Sequence, residues 1–311
     1  MNIIRDLWKN RFRKRVLTEG VAVALGSGGL KGFFHIGVLQ ALDESGIPVR
    51  MIAGTSAGAI AGCAYAAGIP IKEIIDFAAH INMGSIFTLG NPVLPKSGLL
   101  KASSVIDFLR KNIKPNHFIE MKIPLYIIAT DIMTGEAVVL HEGDVPLAVR
   151  ASVSVPAVFE PVIINNRILV DGGITENLPV HTLRQHWKGL IFASSLTAPL
   201  SPPSDILIKH SRKPLIHFIK SLPVFNSVPW LEDTEFQSVE SHWAAILLRA
   251  WDIMAYENYS VKIKQFPPDM LVTVDSECNP GLDELNEESI LKIIARGKEK
   301  TLICLKEAGV L

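Results

Sequence analysis

From Met51 to Ile71 the chain carries no charged residue, and the order of residues inside that run leaves little choice of local shape. The apolar stretch Met51-Ile52-Ala53 breaks into Gly54-Thr55-Ser56-Ala57-Gly58 and continues through the small, helix-compatible residues Ala59 to Ala67. A strand, a sharp turn and a helix in that order push one side chain out at the C-terminal edge of a sheet, and here that side chain is Ser56. Glycines at 54 and 58 suit a turn in which backbone approaches backbone, since a Cβ at either place would clash. The helix that follows aims free N–H groups and the positive end of its dipole at the same spot, where charge developing on a substrate oxygen is stabilised. Ser56 is therefore the candidate nucleophile.

The same run is long enough to span a bilayer, and Gly58-x-x-x-Gly62 matches the small-residue motif of paired membrane helices. It contains no Leu, however, and its four Gly and seven Ala give little drive to insert. A strand followed by a buried helix fits better. Nothing in the composition pulls the other way: 311 residues with 48% hydrophobic and 20% charged content are ample for a buried core in one large or two modest domains. Net charge is zero, so no whole-molecule field draws the chain to nucleic acid. Cys63, Cys278 and Cys304 show no metal-ligand spacing and cannot all pair, which points to a reducing compartment. No apolar run of signal-peptide length follows the basic N-terminal residues, so no cleaved signal is expected.

Residues 1–20 form a basic arm, with six basic and two acidic side chains. Drawn as a helix, Ile3, Ile4, Leu7, Trp8 and Phe12 share a face. Lys9, Arg13 and Lys14 lie mostly off it, while Arg11 and Arg15 fall on it. Such an arm either touches an anionic membrane or packs on the protein's own acidic surface. Val21 to Leu25 then reads as a strand buried on both faces, and it enters the loop Gly26-Ser27-Gly28-Gly29-Leu30-Lys31-Gly32. The loop fails both phosphate-binding patterns: Leu30 stands before Lys31 where a P-loop needs Gly, and Lys31 stands where a dinucleotide fingerprint needs Gly. What remains is a row of backbone N–H groups, those of Gly28 and Gly29 foremost, with a cation beside them, as in an oxyanion hole.

Farther on, the spacing predicts helices over 33–42, 71–80, 103–112, 145–152, 182–187, 236–263 and 287–305. Strands are predicted at 49–53, 124–130, 137–140, 190–196 and 269–274. Pro161 to Ile164 and Arg167 to Val170 read as a hairpin closed by Asn165-Asn166, because Asn tolerates the positive φ of a two-residue turn. Its second strand ends in Asp171-Gly172-Gly173. Strands alternating with helices at these lengths indicate a sheet covered on both faces. After Leu196 prolines accumulate among Phe218, Phe225 and Trp230, and the segment 199–230 is expected to border the site as a cover.

Four blocks in order carry a family resemblance: Gly28-Gly29-Leu30-Lys31-Gly32, Gly54-Thr55-Ser56-Ala57-Gly58, Ala151 to Pro161, and Asp171-Gly172-Gly173, with His35-Ile36-Gly37-Val38-Leu39 after the first. Together they resemble the bacterial patatin-like phospholipases over about residues 21–196. Ser27 departs from a glycine common in that family, and Lys31 from a commoner Arg. The resemblance implies an α/β fold, three-layer α/β/α with a mostly parallel central sheet. It implies a Ser56–Asp171 dyad in which Asp171 acts directly as the base, and an oxyanion hole of Gly28, Gly29, Lys31 and Ala57. Gly26, Gly32, Gly54, Gly58, Gly172 and Gly173 are then the motif glycines. No metal or cofactor is called for, and the substrate is an acyl lipid cleaved by hydrolysis. Transfer of the acyl group to a second lipid, or a membrane-recruited regulatory module without turnover, are the alternatives. A cytoplasmic protein touching the inner face of the membrane is the expected setting. The chain divides into the arm at 1–20, a catalytic core at 21–200, and a Pro-rich and helical region at 201–311 packed on that core. Asp131, also at a strand end, is the other candidate acid. By chain order alone His181, His186, His210, His217 and His242 are available for a triad, and His35 is read as a packed helix residue.

Overall fold

A computed structural model describes residues 2–80, 103–156, 158–197, 243–275, 278 and 285–311, with the backbone alone for 2–9, 103–106, 108 and 243–249. The loop around 84–98 and the expected cover at 199–230 lie outside the described residues, as does the start of the helix expected from 236.

In chain order the elements are α1 (Asn2–Thr18), β1 (Val21–Leu25), α2 (Phe33–Glu44), β2 (Val49–Thr55), α3 (Ala57–Ala66), α4 (Ile71–Ala79) and α5 (Ser103–Asn112). They continue with β3 (Leu125–Asp131), β4 (Ala137–Leu140), α6 (Val145–Ser152), β5 (Val162–Ile164), β6 (Arg167–Asp171), α7 (Val180–His186) and β7 (Leu190–Ser195). Last come α8 (Trp243–Gln265), β8 (Met270–Thr273) and α9 (Glu287–Glu307). Local chemistry accounts for several boundaries. Asp144 accepts from Leu147 N at 2.8 Å with a proline in the first turn of α6, and Asn286 and Ser289 form a reciprocal cap on α9. Asn165 and Asn166 have φ of 50° and 63°, as the two-residue turn between β5 and β6 requires.

The strands form one sheet in the order β5-β6-β3-β2-β1-β7-β8, with β4 also on β3. Four pairings are parallel (β3–β2, β2–β1, β1–β7, β7–β8) and three antiparallel, all of the latter around β3 and β6. Both faces are covered. Val21, Val23, Leu25, Ile52 and Phe192 point into a large cluster with α2, α3, α6 and α9, while Ala22, Ala24, Ala53, Ile191 and Ala193 face α7 and α8. The small residues of the second face let α7 and α8 lie close to the sheet. A division at residue 200 would cut between neighbouring strands, because β8 adds to β7 and α9 packs in the outer layer against α2. That helix pair meets glycine to backbone: a Cβ on Gly37 would stand 1.8 Å from Ile294 O, and one on Gly297 2.2 Å from Phe34 O. The arm is partly structural too, since Val16 is fully buried and Phe12 and Leu17 pack on the core.

The register around β3 decides where the site lies. Ile127 and Ile128 pair with both β2 and β4, and Ala129 and Thr130 with both β4 and β6. A strand has two edges, so β4 occupies one and β2 and β6 share the other. β2 leaves that edge after Thr55, opposite Ile128, and β6 arrives at it with Asp171 opposite Ala129. The last residues of two strands running in opposite directions are thereby brought end to end.

Candidate active site

Ser56 follows β2 with φ 54° and ψ −117°, a conformation that side-chain-bearing residues hold only when the surroundings enforce it. The enforcement is steric. A Cβ on Gly54 would lie 2.5 Å from Gly58 O, and one on Gly58 2.1 Å from Leu25 O, so strand end, turn and helix start are in backbone contact. The turn is also braced by a residue to which the sequence assigned no role: Ser152 Oγ accepts from Ser56 N at 2.8 Å and donates to Ile128 O at 2.6 Å. It lies in the Ala151 to Pro161 block, but nothing in the local pattern separates it from Ser154, whose hydroxyl instead donates to Arg150 O at 2.8 Å.

Ser56 Oγ donates to Asp171 Oδ2 at 2.6 Å, and the other carboxylate oxygen accepts from Gly173 N at 2.7 Å. Thr130 Oγ1 holds the Asp171 carbonyl at 2.9 Å, and Thr55 Oγ1 ties the end of β2 to Glu176 O at 2.9 Å. Asp171 is wholly buried. Burial raises its pKa to about 7, against the opposing pull of the hydrogen bonds from Ser56 and Gly173. A carboxylate poised there can both take and return a proton near neutrality.

Asp131, the other strand-end acid, is placed otherwise: its Oδ1 accepts from Met133 N at 2.9 Å within the β3–β4 turn. His35 is fully buried and supports the glycine loop, with Nε2 2.8 Å from Gly26 O and Nδ1 2.8 Å from Ser194 Oγ. Because a carbonyl only accepts, Nε2 carries the proton and Ser194 donates to Nδ1. Burial lowers the pKa of this imidazole to about 4, so it stays neutral. His181 contacts Gln185 and Phe266, and His186 stacks on Tyr126. His210, His217 and His242 lie outside the described residues.

The glycine loop comes against the elbow, since a Cβ on Gly32 would stand 2.7 Å from Ala57 Cβ. Gly29 and Ala57 each open a helical segment, so their N–H groups have no partner within it. No backbone hydrogen bond among the described residues takes the Gly28 N–H. Lys31 sits elsewhere than expected: its ammonium donates to Leu196 O at 2.9 Å, beyond the end of β7. Burial lowers its pKa while Asp252 counteracts. A Cβ on Gly28 would stand 2.3 Å from Leu196 Cβ, so the loop lies against Leu196, just past β7, at two points. Among the described residues no group of three or more His, Cys, Asp or Glu is placed to hold a metal ion.

A three-layer sheet with a strained serine at one strand end, hydrogen-bonded to a buried carboxylate at another, defines a candidate serine-hydrolase site. The patatin-like phospholipase family signature matches residues 23–184, more than half of the 311, and the chain belongs to that family. It is 36% identical over 184 residues to an uncharacterized NTE family protein of Mycobacterium bovis, covering 59% of this chain and 51% of that protein. It is 30% identical over 196 residues to "Lysophospholipase NTE1" of Kluyveromyces lactis, covering 60% of this chain and 14% of that protein. The chain thus spans about half the length of the mycobacterial relative. Among solved structures, VipD from Legionella pneumophila aligns with 93% of this chain and 67% of its own at 15% identity and a TM-score of 0.45.

Proposed function

We propose that the protein is a serine acyl hydrolase that cleaves carboxylic esters of phospholipids or related acyl lipids through an acyl-enzyme. The observation that carries this reading is the 2.6 Å hydrogen bond from Ser56 Oγ to a buried carboxylate whose pKa is raised to about 7. Asp171 takes the Ser56 proton as Oγ attacks the ester carbonyl. The N–H groups of Gly28, Gly29 and Ala57 hold the oxyanion, and Lys31 contributes by fastening the loop that carries two of them. The proton passes from Asp171 to the departing alcohol, leaving an acyl ester on Ser56. Water then gives its proton to Asp171, attacks the acyl carbonyl and releases the acid, and Ser56 recovers its proton. The family and the name of the yeast relative, a lysophospholipase, support a lipid as the acyl donor.

Peripheral contact with an anionic membrane through the basic residues of α1 belongs to the same proposal. No helix among the described residues is long and apolar enough to cross a membrane. The test is labelling with a fluorophosphonate, mapping of the adduct, and assay of fatty-acid release from a lysophospholipid. Labelling at Ser56 with release of fatty acid supports the reading, transfer to an added lipid alcohol makes the enzyme a transacylase, and the absence of any adduct on Ser56 overturns both.

A further inference from the structure

β3 outruns its neighbour in the sheet. Thr55, the last residue of β2, pairs with Ile128, and β3 continues past it to Asp131 and the turn at Ile132 and Met133. Ile132 therefore stands about 13 Å farther along the strand direction than the residue before Ser56. β5 and β6 reach out beside it, because Ile132 N donates to Ile168 O at 3.0 Å and Ile168 pairs with Ile163. Ile132, Ile168 and Ile163 form one row across three strands, and partners across a pair project from the same face. Val162, Ile164 and Leu169 pack toward Ala151 of α6, so by alternation the isoleucine row points from the other face. The row is bare: Ile132 is 50% exposed, Ile163 70%, and Met133 at the turn 74%. The charged residues at this end keep the α6 phase, since Asp131 pairs with Leu169, Glu136 O accepts from Asp131 N, and Arg167 pairs with Ile164. Two residues inward on the uncharged face, Thr130 holds the carbonyl of Asp171.

We propose that Ile132, Ile163 and Met133 dip into a lipid surface and seat the Ser56 edge of the sheet on the layer that holds the substrate. The inference rests on the acyl-hydrolase reading, which makes an acyl lipid the substrate. Such a lipid has to leave its bilayer or micelle at the edge where the nucleophile stands, and this row projects beyond the nucleophile from that same edge. Large apolar side chains gathered on a face without charge gain by leaving water, and shallow insertion among acyl chains covers them without a shaped partner. A second copy of the chain fits less well. Three side chains expose a few hundred Å², well short of the roughly 800 Å² per partner that a stable dimer needs. This contact differs in kind from that of the basic residues of α1. It needs no anionic headgroup, and salt does not screen it.

The test is co-sedimentation of the full chain with phosphatidylcholine vesicles, which carry no net charge, at low and high salt. Met133→Ser, Ile163→Ser and the double variant are compared with the parent. The parent is expected to bind equally at both salt concentrations, each single variant about tenfold more weakly, and the double variant about a hundredfold. Hydrolysis of a soluble short-chain ester should stay within about twofold in all three, because the substituted side chains stand in solvent and do not touch the dyad. Ile119→Ser is the control: Ile119 is 95% exposed just before β3 begins, at the opposite edge of the sheet, and its loss should leave vesicle binding unchanged. A parent that ignores neutral vesicles, a double variant that binds as the parent does, or an equal loss in Ile119→Ser would overturn the insertion. So would a dimer in sedimentation velocity that the double variant abolishes, which assigns the row to a second copy. Vesicle binding is read without turnover. Binding that depends on this row, in a parent that takes no fluorophosphonate at Ser56, keeps the insertion and removes the hydrolase reading.

Discussion

Asp171 accepts from Ser56 at 2.6 Å across the point where β2 and β6 meet end to end along one edge of β3. Each residue is the last of its strand or the first beyond it, so neither has slack in which to move away. Because the two act as a unit in the proposed mechanism, Ser56→Ala and Asp171→Asn are each expected to lower ester turnover by about a thousandfold or more. The double variant should be little worse than either single one. Initial-rate assays on a soluble ester check this, and losses that multiply would show that the residues act separately.

The raised pKa of Asp171 makes a prediction about rate. The base works ionised, so kcat/KM is expected to climb about tenfold per pH unit on the acid side and level off above the value of about 7. A profile that is flat between pH 5 and 8 would move the proton acceptor elsewhere.

The same shift makes a separate prediction about stability, with a definite sign. A carboxyl group whose folded pKa lies above its ordinary 3.8 favours the fold when protonated, so its contribution is complete below 3.8 and is lost as pH rises through about 7. Asp171→Asn, neutral at every pH, should therefore exceed the parent in stability at pH 8 by on the order of a few kcal/mol and converge with it toward pH 4. Urea unfolding at three pH values measures the difference.

Ser152 braces the elbow through the Ser56 N–H, where Asp171 holds the side-chain hydroxyl. Ser152→Ala leaves Ser56 N and Ile128 O without their partner in a buried setting, and should cost about 1–3 kcal/mol in unfolding free energy. The expected kinetic effect is a lower kcat with KM little changed, since the hydroxyl orients the nucleophile and does not face the substrate.

Between α2 and α9, Gly37→Ala and Gly297→Ala would press a Cβ against backbone oxygen at 1.8 and 2.2 Å. Backbone in two packed helices cannot yield locally, so each is expected to cost about 3 kcal/mol or more. Thermal unfolding of the purified variants reads this directly.

For the arm, the burial of Val16 separates its two halves. Deleting residues 1–9 should weaken binding to anionic vesicles in a salt-sensitive way, by roughly 1 kcal/mol for each basic residue removed, and leave hydrolysis of a soluble ester unchanged. Deletion through residue 17 should also lower Tm, because it takes Val16 out of the core.

Local physics wrote most of the elements into the sequence. Val21–Leu25, Ser103–Asn112, Ala137–Leu140 and Val145–Ser152 form over the spans their patterns predict, because apolar run length, periodicity and capping act within a few residues. The elbow was legible for the same reason: Gly54 and Gly58 flank Ser56 within five residues, and their backbone contacts with the adjoining strand and helix leave the turn no other shape. The partner of Ser56 was not legible in that way. Asp131 and Asp171 both end strands, and only the resemblance to a family separated them in the sequence. The pairing of Ala129 with Asp171 separates them in space, since it puts one carboxylate at the junction and leaves the other in a turn.

Ser152 and Lys31 teach the same lesson. The serine reaches Ser56 across 96 residues of chain, and the lysine reaches Leu196 across 165, where its own loop suggested an oxyanion contact. Turns, caps and strand spans depend on neighbours in sequence, so the sequence by itself determined them. Which strand ends meet, which buried hydroxyls find partners and which carboxylate loses its water depend on the order of strands in the sheet, and that order follows from packing the whole chain into three layers.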